Sequence, residues 1–218
     1  MPLGFFDYIS ANMPLILNGL KFTVKLWALV IIIMLPLSTI CAIAKVSGPK
    51  WLKTILGAYT WIFRGSPLIL QLYLAYFGLP YLGIVLEPMT VVVTVFILCV
   101  VAYQTEIIRG GILSTDKGQY EACKALGMSY PQTMFRVVVP QTIRKILPQT
   151  CSEVIVAFKD TCLVSAIGLG DLLRSARELV IGDLRVDAFA VVLVFYLLVS
   201  SILVLIFDKL EKKYSVYV

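Results

Sequence analysis

The sequence predicts an all-α membrane protein of five transmembrane helices, with its N-terminus outside and its C-terminus in the cytoplasm. Three observations carry that expectation. Of 218 residues, 60% are hydrophobic and only 15% charged, with a mean hydropathy of +0.92; an ordinary soluble domain carries roughly 25% charged residues. Apolar runs of the length a helix needs to cross a hydrocarbon core of about 30 Å recur along the chain. The Lys and Arg residues, finally, fall mostly between alternate runs, which sets a direction for the threading.

The first run covers residues 17–44, with Leu26–Ala44 its clearest part and Lys21 and Lys25 reaching back towards the headgroups. A basic hinge, Lys45–Lys53, follows it. The second run, 54–77, is interrupted by Arg64, Gly65 and Pro67. It reads either as a kinked helix ending near Phe77 or as one that starts after Pro67. Residues 89–108 make the third run, 146–169 a fourth that carries charges, and 188–207 the fifth and plainest. A polar, Gly- and Pro-punctuated loop of residues 114–140 separates the third from the fourth. With the N-terminus outside, the cytoplasmic segments 45–53, 109–145 and 209–213 hold twelve cations, and the exterior loops hold only Arg174, Arg177 and Arg185. The positive-inside rule then fixes N-out, C-in, and puts the loop in the cytoplasm. No linker, repeat or low-complexity tract divides the chain, so one membrane domain spanning 1–218 is expected.

Several functions are excluded by what the residues lack. There is no His, the commonest metal ligand and general base. The five Cys show no CxxC spacing and lie mostly in apolar runs, so they read as small buried hydrophobes. No G-x-x-x-x-G-K-[ST] occurs, and the Gly168–Gly170 pair reads as a turn, so no ATP site is expected in this chain. No nucleophile–base pair points to an enzyme. The net charge of +6 is explained by the topology and not by a nucleic-acid-binding face. The segment MPLGFFDYIS lacks a basic n-region and a cleavage site, so no removable signal peptide is expected.

The loop's local physics is readable. Gly118–Gly127 suits a short helix, with Glu121 in its first turn, where the positive end of the helix dipole favours a carboxylate. Ala122, Ala125 and Leu126 form a small apolar stripe at helical spacing. Gly127 can stop the helix in a left-handed conformation, and Pro131 restarts the chain as a second short helix with Met134, Val137 and Val138 on one side. Two short helices joined at a glycine corner make either a rigid knob for a partner or an amphipathic elbow resting on lipid.

The spacing of this loop, Glu121-Ala122-x-x-x-x-Gly127 followed by nine residues and then Val137-x-Val139-Pro140, resembles the EAA loop of bacterial ABC-importer permeases. Cys123, Val137 and Val139 depart from the usual residues only by small apolar exchanges. Further blocks are similar to the polar amino-acid (histidine, glutamine, arginine) branch. They are Phe63-Arg64-Gly65-Ser66-Pro67 with Gln71, Ala102-Tyr103-x-x-Glu106-x-x-Arg109-Gly110-Gly111 running to Lys117-Gly118-Gln119, and Lys159-Asp160-Thr161. Cys151-Ser152 stands before Glu153 where that branch often has an Asn, so no amide role is carried over. The resemblance implies a permease of the bacterial cytoplasmic membrane that transports a polar amino acid and binds no cofactor itself. It implies a cytoplasmic ATPase dimer, a second permease subunit and an extracytoplasmic solute-binding protein as partners. It also implies that Gly118, Glu121, Ala122, Gly127 and Pro140 belong to the surface that docks the ATPase.

Charges inside the bilayer cost several kcal/mol unless paired or hydrated, which makes them functional candidates. Glu153 and Asp160 are seven residues apart on one helical face, with Lys159 adjoining Asp160; from Ile146, Glu153 lies about 10 Å and Lys159 about 20 Å along the helix. With Lys159 they could offer both signs of charge to a zwitterionic amino acid, or they could merely neutralise cations such as Arg64 or Arg109. Glu106 and Arg109, at i and i+3, read as a helix-stabilising pair, and Tyr103 as a path-lining or packing aromatic. An ion-coupled secondary transporter is the rival reading, and a purely structural anchor a weaker one. The former would be expected to show internal repeats and its own coupling site.

Overall fold

The computed structural model describes residues 4–214, and every regular element among them is helical. α1 (Phe5–Ser47) runs unbroken for 43 residues through Pro14 and Pro36, about 64 Å at 1.5 Å per residue. It therefore extends well beyond the expected 17–44 at its N-terminal end. Its buried residues Ile16, Gly19, Thr23, Leu26, Val30, Met34, Ser38 and Ala42 recur every three or four positions, a single stripe facing the rest of the chain. Leu29, Ile32, Leu35 and Ile40 on the other faces stay exposed.

The expected second span is two helices. α2 (Lys50–Gly65) and α3 (Leu68–Tyr73) meet at an angle of 104° when α3 is taken with the π and 3-10 turns that prolong it to Leu82. This corrects the choice between one kinked helix and one late start: both halves form. Pro67 lacks the N–H that would continue α2, and Ser66, preceding it, takes an extended backbone, φ −123° and ψ 146°. The carbonyls freed by the break are collected by one side chain. Gln71 Nε2 donates to Phe63 O at 3.0 Å and Ser66 O at 3.1 Å, and lies 2.9 Å from Ser66 Oγ.

α4 (Pro88–Leu113) is the centre of the molecule. In its most apolar stretch 61% of residues are buried, against 28% in α1 and 6% in α9 (Asp187–Tyr214), so α4 is wrapped by protein while α9 lies at the periphery with many exposed apolar side chains. α1, α2 and α7 (Val139–Asp160) all pack on α4. Leu26, Val30 and Met34 of α1, Leu72 of α3, Val92, Phe96 and Val101 of α4, and Val154 and Ala157 of α7 form the main apolar core.

The loop holds α5 (Lys117–Ala125) and α6 (Tyr130–Thr133), followed by a π turn, Met134–Val138, that runs straight into α7 (Val139–Asp160). Pro140 stands in the first turn of α7, so the loop's last residues already belong to that helix. α7 ends at Asp160, and the rest of the expected fourth run is a 3-10 segment, Thr161–Ile167. α8 (Leu172–Asp183) was not anticipated, its residues having been read as exterior loop. The signal was present: Leu172, Ala176 and Leu179 follow helical spacing, and Asp171 caps their start, accepting from Leu173 N at 3.0 Å and Arg174 N at 3.2 Å. At twelve residues α8 is too short to span a bilayer.

Among the described residues α1, α4 and α9 are long and apolar enough to cross a membrane, and the bent α2–α3 pair makes a fourth if it counts as one span. α7 has the length but not the apolarity. It carries Arg144, Lys145, Glu153, Lys159 and Asp160 in its 22 residues, and α1, α4 and α9 pack against it.

Candidate functional site

α4 and α7 are held close at two levels. At Gly111 a Cβ would fall 2.3 Å from the Ile146 side chain and 2.9 Å from that of Thr142, so only glycine lets the helices approach this closely. Further along, buried Gln104 donates to Thr150 Oγ1 at 2.8 Å. Two cavities open beside this pairing. Phe96, Cys99, Val100, Tyr103, Ile107 and Gly110 recur at three- and four-residue spacing on α4. Ile146, Gln149, Glu153, Val156, Ala157 and Asp160 do so on α7.

The first cavity, ≈340 Å³, is lined by Ser66–Ile69 at the helix break and by Phe96, Cys99, Tyr103, Glu153, Val156 and Asp160 among others. The second, ≈350 Å³, is lined by Arg64, Tyr103, Glu106, Gly110, Gly111, Ser114, Lys145, Gln149 and Glu153 among others. Each lies at the lower end of the roughly 300–1,000 Å³ common for small-molecule sites. Tyr103 and Glu153 line both. Glu153 and Asp160 thus share one cavity, as their spacing implies, and neither enters any ion pair found among the described residues. Lys159 is exposed and lines neither cavity. A one-residue offset turns Lys159 about 100° around the helix from Asp160.

Glu106 stands in a different environment. Lys45 and Arg109 Nε (2.8 Å) both pair with it, Arg64 Nη1 approaches to 3.9 Å, and Thr60 Oγ1 donates to it at 3.1 Å. The i,i+3 pair with Arg109 is present. Lys45 and Thr60 were not anticipated: Lys45 was assigned to a solvated basic hinge, and nothing in its local pattern points to a carboxylate 61 positions away. Arg64 lies with Cζ 5.5 Å from the centre of the Tyr103 ring, and Tyr103 Oη donates to the Arg64 carbonyl at 3.2 Å.

The loop is a compact knob. Asp116 caps α5 by accepting from Gly118 N, so the helix begins at Lys117 and Glu121 sits in its second turn, not the first as expected. Gly127 adopts φ +72°. Its N–H bonds to Lys124 O and that of Met128 to Cys123 O, the paired bonds of a Schellman stop. Ser129 and Gln132 form a reciprocal capping box on α6. Met134 and Val138 pack with Ala42, Ile108 and Ile112, which roots the knob on the ends of α1 and α4, and Lys145 Nζ donates to Ser114 O at 3.0 Å. Of the anticipated apolar residues, Ala122, Ala125 and Leu126 are exposed, Leu126 by 80%, while Cys123 turns inward. Glu121 is exposed as well, and Phe135 adds a second large uncovered apolar side chain. All five cysteines are free.

A helical membrane protein with two adjoining cavities, carboxylates in their linings, beside its central helix and a compact helical knob at one end has the form of a transport component. The model of the binding-protein-dependent transport system inner membrane component family matches residues 34–216, and the chain belongs to that family. It is 34% identical to the L-cystine transport system permease protein TcyB of Bacillus subtilis (strain 168), over 94% of this chain and 88% of that protein. It is 39% identical to the arginine transport system permease protein ArtQ of the same organism, over 79% and 80%. Among solved structures, a chain from the crystal structure of an amino acid ABC transporter with histidines superposes with a TM-score of 0.90 at 32% identity, covering 98% of this chain and 100% of that one.

Proposed function

We propose that this chain is the permease subunit of an ATP-driven importer for a polar amino acid. It crosses the cytoplasmic membrane five times, through α1, the broken α2–α3 unit, α4, α7 and α9. The N-terminus lies outside, and the knob of residues 114–140 lies in the cytoplasm, where a separate ATPase subunit engages it. The observation that carries the reading is the pair of cavities lined by α4 and α7, with Glu153 common to both and Asp160 in the first, neither committed to an ion pair among the described residues. Charged residues that serve only packing are expected to be paired, as Glu106 is. The polar amino-acid substrate is supported by the relatives' transport of L-cystine and arginine.

In this mechanism the chain performs no chemistry. ATP-driven closure of the ATPases draws the knobs of two permease subunits together, and the rigid π-turn junction to α7 passes that movement to the helix lining the cavities. An extracytoplasmic binding protein delivers the substrate. Gly118, Glu121, Ala122 and Gly127 form the docking surface, and Pro140 joins it to α7.

Reconstitution with the ATPase and binding protein tests this: uptake into proteoliposomes should require ATP and proceed without an ion gradient. Uptake driven by an ion gradient without ATP would replace this reading with a secondary transporter. For the threading, Ser114→Cys and Asp183→Cys in a Cys-free background should be labelled from opposite sides. Labelling of Ser114→Cys from outside intact cells would reject it.

A further inference from the structure

We propose that Arg64 receives the α-carboxylate of the transported amino acid, holding the substrate across the junction of the two cavities with its cationic end towards Glu153 and Asp160. This rests on the amino-acid reading above and assigns the half of the zwitterion for which α7 supplies no cation.

The charges lining the cavities are unevenly committed. The first cavity is lined by two carboxylates, Glu153 and Asp160, and by no Lys or Arg. The second contains two cations, Arg64 and Lys145. Lys145 is held by the Ser114 carbonyl at 3.0 Å. Arg64 has only a distant ion-pair partner: Glu106 Oε2 lies 3.9 Å from Nη1, and the same oxygen accepts from Arg109 Nε at 2.8 Å. Its side chain is 43% exposed, against 15% for Lys45 and 35% for Arg109 in the same cluster. Arg64 is therefore the least committed of the three cations around Glu106, and Glu153 an anion without an ion pair among the described residues that lines the same cavity. A zwitterion lying between them satisfies both.

Local structure fixes the guanidinium for that task. It lies over the Tyr103 ring, an arrangement that holds a planar cation by its face and leaves its N–H edges for bidentate binding of a carboxylate. The Arg64 backbone is anchored as well, because Tyr103 Oη donates to its carbonyl and Gln71 braces the adjoining break at Phe63 and Ser66. Arg64 sits just before that break and lines the second cavity, while Ser66 and Pro67 just after it line the first. Both pre-positioning and charge thus place a carboxylate receptor at the boundary between the two cavities.

The test uses the assembled permease–ATPase complex in nanodiscs and equilibrium binding of the twenty standard amino acids and L-cystine. The tightest ligand is then compared with its α-carboxamide, which keeps the ammonium group and side chain and loses the negative charge. The wild-type complex should favour the amino acid at least tenfold. Arg64→Gln should weaken the amino acid by roughly ten- to a hundredfold, the worth of a charge-assisted hydrogen bond, and leave the carboxamide within about twofold, so that discrimination disappears. If Arg64→Gln fails to assemble, Arg64→Lys is read instead: it keeps the charge without the fork, and discrimination should fall at unchanged complex yield. Equal weakening of both ligands, or discrimination intact in the variant, overturns the proposal and leaves Arg64 a packing partner of Glu106. Absence of any amino-acid binding by the wild-type complex is a separate outcome, which rejects the amino-acid path and this role with it.

Discussion

Two glutamates line the same cavity from facing helices and live under opposite conditions. Glu106 on α4 is approached by Lys45, Arg64 and Arg109 and takes a hydrogen bond from Thr60; Glu153 on α7 has no ion-pair partner among the described residues and opens onto both cavities. Each carries the cost of a charge taken from water. In Glu106 that cost is offset internally, and the product is architecture: one carboxylate ties α1, α2 and α4 together. In Glu153 no such offset is seen among the described residues, and under the proposed function it is left for the substrate. The same residue type in the same cavity thus stands in two different states of partnership.

The largest effect should come from placing a carboxylate where the subunit has none. Around Gly127 a Cβ would meet nothing within 4 Å, and at φ +72° Asp is among the non-glycine residues that tolerate the backbone best. Gly127→Asp should therefore insert and fold normally, yet abolish ATP-driven uptake by putting a desolvated charge into the ATPase contact. Wild-type uptake in that variant would reduce the knob to an elbow on the lipid surface. Glu106→Gln should come next. It strands cations around a largely shielded site, a loss of about 3–5 kcal/mol by analogy with broken buried pairs. The yield of assembled complex should fall before ligand affinity changes, and preserved yield would erase the contrast between the two glutamates. Glu153→Gln keeps the volume and removes the charge. Affinity should drop roughly ten- to a hundredfold, about 1.5–3 kcal/mol, at normal yield, whereas normal affinity with poor yield would make Glu153 structural too.

A third acid adds a smaller, pH-dependent test. Asp171 is fully buried, and burial pushes its carboxyl up to about 6 even though the backbone N–H groups of Leu173 and Arg174 pull the other way. Its folded value lies above the unfolded one, so its contribution to stability is greatest below about pH 4 and is lost as pH rises towards 6. Asn also caps helices well. Asp171→Asn should accordingly raise the thermal midpoint above pH 6 and flatten its dependence between pH 4 and 6. An unchanged slope would show that Asp171 is not the titrating group.

What could be read from the residues follows how local the cause is. The apolar cores of α1, α4 and α9, the stop at Gly127 and the placement of Glu153 and Asp160 on one face of α7 each follow from composition or a 3.6-residue period within one segment. The break between α2 and α3 was visible as Gly65 and Pro67. Its angle was not, because that depends on Gln71 bracing carbonyls released by the proline. Lys45 looked solvated since its partner lies on another helix. α8 was missed because charges at Arg174, Arg177, Glu178 and Asp183 outweighed a three-residue apolar stripe when the segment was read as exterior loop. Which of Asp160 and Lys159 lines a cavity was not legible from their adjacency, because that depends on how α7 is rotated against α4.

The central claim, that the α4-facing side of α7 lines the path of the substrate, is tested most directly by ligand protection at two positions one turn apart. Val156 lines the first cavity and is 40% exposed; Lys159 is exposed on a face that lines neither cavity. In a Cys-free background, Val156→Cys and Lys159→Cys would each be treated with a small thiol reagent in the assembled complex, with and without saturating amino acid. The account predicts that the amino acid slows modification of Val156→Cys and leaves Lys159→Cys unchanged. Equal protection at both positions, or protection at Lys159→Cys alone, would contradict it.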